Sequence, residues 1–183
     1  MLVVGPGAAL AAEPDLLIYA DMARWEIQQR MRRDEVSNLG VYNPGDAVAR
    51  QYKWGYFIDW RVLDRHKQRL FDQWDFVLDT HDPTQPKMVE AGAYWEALQQ
   101  TVSQPFMLKP FFDPGPWGGQ WMKTVCDLDP TAPNYAWCFN CVPEENSLLI
   151  QFNDHVMECP AINLVFRHPE ALLGPGVFER FGA

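Results

Sequence analysis

Asp15-Leu16-Leu17-Ile18-Tyr19-Ala20-Asp21 is an apolar run closed at both ends by carboxylates. Its unbroken hydrophobicity predicts a strand covered on both faces, the pattern of a parallel sheet. Residues 22–33 then predict a helix with a loose apolar face of Trp25, Ile27 and Met31. Arg24, Arg30, Arg32 and Arg33 make its other side strongly cationic. Toward the N-terminus, Leu2-Val3-Val4 before Gly5-Pro6-Gly7 predicts a buried central strand running into a tight turn. Toward the C-terminus, Asn43-Pro44-Gly45-Asp46 is a turn. A long helical pattern through Phe57, Ile58, Trp60, Leu63 and Leu70 covers 54–74, and Asp75-Phe76-Val77-Leu78-Asp79 is a short strand ending at Thr80-His81-Asp82-Pro83. Pro86 opens a last helix over 87–101, through Met88, Tyr94, Trp95 and Leu98. Strands alternating with helices predict an α/β domain over residues 1–104.

From Pro105 the texture changes to short apolar runs broken by Pro, Gly and Asn, the grammar of a mainly β segment over 105–183. Candidate strands are 106–112, 136–142, 148–152 and 162–166. Between the first two lies Asp113-Pro114-Gly115-Pro116-Trp117-Gly118-Gly119-Gln120-Trp121-Met122. Prolines fix φ and glycines open positive φ, so a Trp on such a turn is either a packing plug or a flat wall for a ligand.

Hydrophobic residues make up 48% of the chain and aromatic residues 14%, enough for a buried core and against disorder. The formal charge of −9 argues against nucleic acid, whose phosphates need a basic face, and disfavours docking on anionic membranes. Cys138-Phe139-Asn140-Cys141 has CxxC spacing, but no second CxxC accompanies it; with Cys126 and Cys159 these are expected to be reduced, partly buried thiols. Residues 1–12 have no Lys or Arg, and Pro6 interrupts their apolar run, which favours a strand and turn over a secretory signal. No apolar stretch approaches the roughly 20 residues needed to span a bilayer, so the expected location is cytoplasmic.

The N-terminal half resembles the C-terminal half of P-loop kinases of the uridine kinase and phosphoribulokinase type. The resemblance rests on Val3-Val4-Gly5, on Pro14-Asp15-Leu16-Leu17-Ile18-Tyr19 with the arginine helix behind it, and on Asp75-Phe76-Val77-Leu78-Asp79 before Asp82-Pro83. It implies that Arg24, Arg30, Arg32 and Arg33 belong to a phosphate-clamping lid; a solvated helix face is the other reading. No G-x-x-x-x-G-K-[ST] occurs, so the phosphate cradle is absent and this half is not expected to be a working kinase by itself.

Leu108-Lys109-Pro110, a short aromatic spacer and Trp117-Gly118-Gly119 look like the start of type I mannose-6-phosphate isomerases, which are zinc-dependent cupin enzymes. Tyr135-Ala136-Trp137, Glu145-Asn146-Ser147 before a Leu-rich strand, and Glu170-Ala171-Leu172-Leu173-Gly174 follow in family order. More narrowly, 113–122 and 134–149 resemble a divergent bacterial branch with a long N-terminal extension, here the kinase-like half. The resemblance implies substrate contacts at Trp117, Gly118, Gly119 and Trp137, with Lys109 as a phosphate contact or a solvated strand end. The carboxylate that the family carries before its strand Trp falls on Tyr135; Glu144 or Glu145 replaces it, or forms a solvated turn.

The family's Gln-x-His metal ligands are missing, and His66, His81, His155 and His168 are scattered. The chain is therefore expected to be a fragment, with no cofactor of its own and zinc only in the complete family member. Little activity is expected alone, unless a downstream chain completes the cupin domain. Two other functions fit the same residues: a phosphotransferase or nucleotide-binding piece, and a non-catalytic module that binds a sugar phosphate.

Overall fold

The computed structural model describes residues 1–103, 108–109, 127 and 147–168. They are mixed α/β, with two small sheets. The chain divides into one unit of Met1–Asp21 with Ile27–Gln99 and another of Met22–Glu26 with Gln100–Ala183.

The first unit is built on β1 (Ile18–Asp21), which pairs in parallel with β2 (Phe76–Asp79). The register sets Tyr19 opposite Val77 and Asp21 opposite Asp79, so both carboxylates close their strands at the same level. Between these strands the chain runs through α2 (Arg24–Arg32), α3 (Val48–Trp54), a π-helical segment (Gly55–Asp59) and α4 (Trp60–Leu70), the last three forming one continuous helix over 48–70. Trp60, Phe71, Trp74, Val77, Tyr94 and Leu98 are buried, and this aromatic core carries the hydrophobic stabilisation of the unit. Tyr19 stacks on Trp74 with ring centroids 4.3 Å apart. Asn43-Pro44-Gly45-Asp46 is a turn as expected, with Gly45 at φ +81°, a conformation open to glycine at no steric cost.

Three expectations for this unit are corrected. Leu2-Val3-Val4 forms no strand and is exposed; the turn at Gly5-Pro6-Gly7 runs instead into a one-turn helix, α1 (Ala8–Ala11), and β2 is the strand found beside β1 among the described residues. Residues 87–90 are not helical. Asp82 folds the chain back, with Gln85 N donating to Asp82 O at 3.2 Å, and β3 (Lys87–Glu90) pairs antiparallel with β2 before α5 (Ala91–Val102) begins. Pro86 thus opens a strand, where its missing N–H is also tolerated. Finally, the helical pattern expected over 54–74 starts at Val48, ends at Leu70 and contains the π segment. Its extra residue per turn rotates the face: Gln51, Gly55, Asp59, Trp60 and Lys67 are buried, and Phe57 and Ile58 are exposed.

In the second unit β4 (Leu108–Lys109), β5 (Ser147–Phe152) and β6 (His155–Pro160) form an antiparallel sheet. The two-residue loop Asn153-Asp154 joins β5 to β6, and Asn153 takes φ +50°, which Asn tolerates better than most residues. Leu148, Ile150, Met157 and Cys159 are buried. Trp25 Nε1 donates a hydrogen bond to the Glu158 carboxylate. The expected strand over 162–166 is instead a helix, α6 (Ile162–Arg167). Short apolar runs do not distinguish buried strand from buried helix by periodicity, and Pro160 ends the ladder that β6 would otherwise continue.

Candidate functional site

The carboxyl ends of adjacent parallel strands are where α/β folds place ligands. Here those ends carry Asp21 and Asp79. Lys67, reaching over from α4, places Nζ 2.5 Å from Asp21 Oδ2, with side chains only 4% and 11% exposed. Its ammonium also lies 5.5 Å from the Tyr19 ring centroid and 5.9 Å from that of Trp74, within cation–π range.

Asp79 serves a different partner. Its Oδ1 accepts from the His81 backbone N–H at 3.0 Å and meets His81 Nδ1 at 2.5 Å. A carboxylate against Nδ1 holds the proton on that nitrogen, so the basic lone pair of the neutral ring is on Nε2. The loop that carries His81 is sewn to the end of β1: Thr80 N and Oγ1 donate to Asp21 O at 3.1 and 2.8 Å. Arg30 Nη2 donates to the carbonyls of Thr80 and His81 at 2.9 and 3.2 Å. One residue further, the Thr84 hydroxyl and backbone N–H bond to the Asp82 carboxylate and hold its pKa below the ordinary value.

This arrangement can carry a proton on an oriented imidazole and can hydrogen-bond the hydroxyl groups of a ligand through carboxylates. Its cations are committed: Lys67 to Asp21, and Arg30 to two carbonyls. Arg33 bonds Glu35 at 2.8 Å and pulls that carboxyl below its usual pKa. Arg32 is half-buried and Arg24 is buried, the latter within the other unit.

Of the residues singled out for the isomerase-like region, Lys109 is placed on β4 opposite Ser147. Trp117, Gly118, Gly119, Trp137, Glu144 and Glu145 lie outside the described residues, as do Cys126, Cys138 and Cys141. Cys159 is buried on β6 and unbridged. No group of three or more His, Cys, Asp or Glu among the described residues is placed to hold a metal. No helix among the described residues is long and apolar enough to cross a membrane.

Sequence reasoning passed over Asp21, Lys67, Asp79 and His81. The carboxylates that end the two predicted strands were the available signal, since parallel pairing brings such ends together. Lys67 had none, because a lysine on a helix reads as solvated until its face is known.

The unit around these strands is thus an α/β domain with a polar cluster at its strand ends. Residues 1–103 match the family described as "Domain of unknown function (DUF8485)", and the chain belongs to that family. No curated protein matches the chain, and no solved structure does.

Proposed function

We propose that the protein works on a phosphorylated sugar, as part of an aldose–ketose isomerase resembling the type I mannose-6-phosphate isomerases. The observation that carries this reading is the antiparallel pairing of β4 with β5, which sets Lys109 opposite Ser147. The described ends of two blocks of the isomerase-like sequence, Leu108-Lys109 and Ser147-Leu148, are thereby paired. In this reading Lys109 contacts the phosphate, Trp117 and Trp137 wall the sugar, and the Gly118-Gly119 backbone allows close approach. In a complete member of that family zinc would supply the electrophile that stabilises an enediolate oxyanion, held by residues other than the described ones.

Titration of the full chain with mannose 6-phosphate should quench tryptophan fluorescence saturably, while mannose does not. Lys109→Ala should weaken the phosphorylated ligand by about tenfold, the loss of one charge-assisted hydrogen bond. Equal responses to mannose and mannose 6-phosphate, or none to either, would sink the reading.

A second reading concerns the N-terminal unit and rests on the Asp79–His81 pair beside Asp21–Lys67 at the strand ends. There the hydroxyl groups of a nucleotide are held, and His81 Nε2 takes the proton of a hydroxyl that attacks the terminal phosphorus as the nucleoside diphosphate leaves, while Asp79 stabilises the resulting imidazolium. ATP should protect the unit from limited proteolysis. His81→Gln should raise the ATP concentration needed by about tenfold, the order expected for one hydrogen bond to a charged group. Protection that is absent, or unchanged in both His81→Gln and Arg30→Ala, removes this reading and leaves the isomerase reading standing.

A further inference from the structure

The helix over 48–70 shows an apolar stripe to the outside. Trp54, Phe57, Ile58 and Val62 are 38, 70, 47 and 49% exposed, although their spacing is that of one helical face. The π segment produces this exposure. It turns Gly55 and Asp59 inward, Gly55 against Met31 and Trp60, and leaves Phe57 and Ile58 on the opposite side. Such insertions cost helical regularity and are found most often where a helix has a task.

The stripe borders a groove of about 560 Å³. Ala47 and Ala49 leave room in it, Trp54, Phe57 and Ile58 supply its apolar wall, and Arg50 and Lys53 are its only charged lining residues. Both charges are available. Arg50 is 74% exposed on its side chain and reaches Asp46 at 4.0 Å, a contact of little energetic weight. Lys53 has no ion-pair partner among the described residues. A cation-lined apolar groove without a carboxylate is notable in a chain of net charge −9.

We propose that this groove docks an acidic amphipathic helix of a partner protein. Charge complementarity sets the sign: Glu or Asp on the partner meets Arg50 and Lys53. The pocketed stripe at helical spacing sets the shape, apolar anchors at i, i+3 or i+4 and i+7 laid into a groove. A second copy of this chain is a poorer occupant, because two-fold pairing of the face would bring Arg50 and Lys53 against their own mates. An anionic bilayer is poorer too, since a net charge of −9 opposes approach.

The test uses the full chain and a labelled synthetic helix about four turns long. Its apolar face is Leu and its flanks are Glu, and it is compared with the same peptide carrying Lys flanks and with a scrambled Glu peptide. The Glu helix should bind saturably and weaken with added salt, with neither control binding. Phe57→Ser, at an exposed position, should weaken it at least tenfold, and Arg50→Glu with Lys53→Glu should transfer binding to the Lys peptide. Equal binding of the Glu and Lys peptides, or of the scrambled one, overturns the proposal. So does co-sedimentation with phosphatidylglycerol-containing vesicles that Phe57→Ser abolishes, which makes the face a membrane surface. A dimer dissolved by the same substitution makes it a self-interface, and the proposal fails equally.

Discussion

Lys67→Ala unfolds in urea with a stability loss of about 3–5 kcal/mol, the range for removing one partner of a buried ion pair. The substitution takes away the charge that Asp21 faces at 2.5 Å and leaves a carboxylate that is 11% exposed without its counterion. It also removes the ammonium that lies over the Tyr19 and Trp74 rings and the buried stem that carries it, so ring contacts, packing and charge are lost together. Combining Lys67→Ala with Asp21→Asn separates the two effects. If the unpaired charge is the main cost, the double variant regains most of the loss, because an apolar side chain beside a neutral amide has no uncompensated charge. A double variant as unstable as Lys67→Ala would instead assign the cost to packing.

The same pair explains what could and could not be read from the chain. The run 15–21 and the run 75–79 announce themselves as strands, because both are apolar and both end in Asp. The third strand was hidden by Pro86, whose fixed φ suits a helix start and a strand start alike; only the turn held by Asp82 decides between them. The helix over 162–167 was hidden for a related reason, an apolar run too short to show its period. The inward face of the long helix was illegible because the π segment breaks the very periodicity from which a face is inferred. Hence Phe57 and Ile58 belong to the predicted apolar pattern and are exposed, while Asp59 and Lys67 lie outside it and are buried. The candidate site shared that fate. Its Lys comes from the mis-phased helix, and His81 gains meaning only from Asp79, two residues back, whose carboxylate orients it.

Asp59→Ala should be the second large loss, about 3 kcal/mol, because Asp59 holds the loop before the long helix. Its Oδ2 accepts from Asn38 Nδ2 at 2.8 Å and from Leu39 N at 3.2 Å. Asn38 in turn donates to Gln51 O at 3.0 Å and takes Asn43 Nδ2 at 2.9 Å on its own oxygen. Truncation at Asp59 therefore leaves the buried Asn38 amide with one acceptor fewer and strands the backbone N–H of Leu39. Asp59→Asn keeps an acceptor for both and should cost about 1 kcal/mol or less, the scale of one neutral hydrogen bond exchanged for a charged one. Asn38→Ala should overlap with Asp59→Ala, and a double-mutant cycle should return a coupling of about 1–2 kcal/mol, since both belong to one network. Additive losses would mean that the two side chains act independently. Because Asp59 ends the π segment, the network also fixes the phase at which Phe57 and Ile58 leave the core. Asp59→Ala should consequently weaken binding of the acidic helix without touching any groove residue, and Asp59→Asn should preserve it.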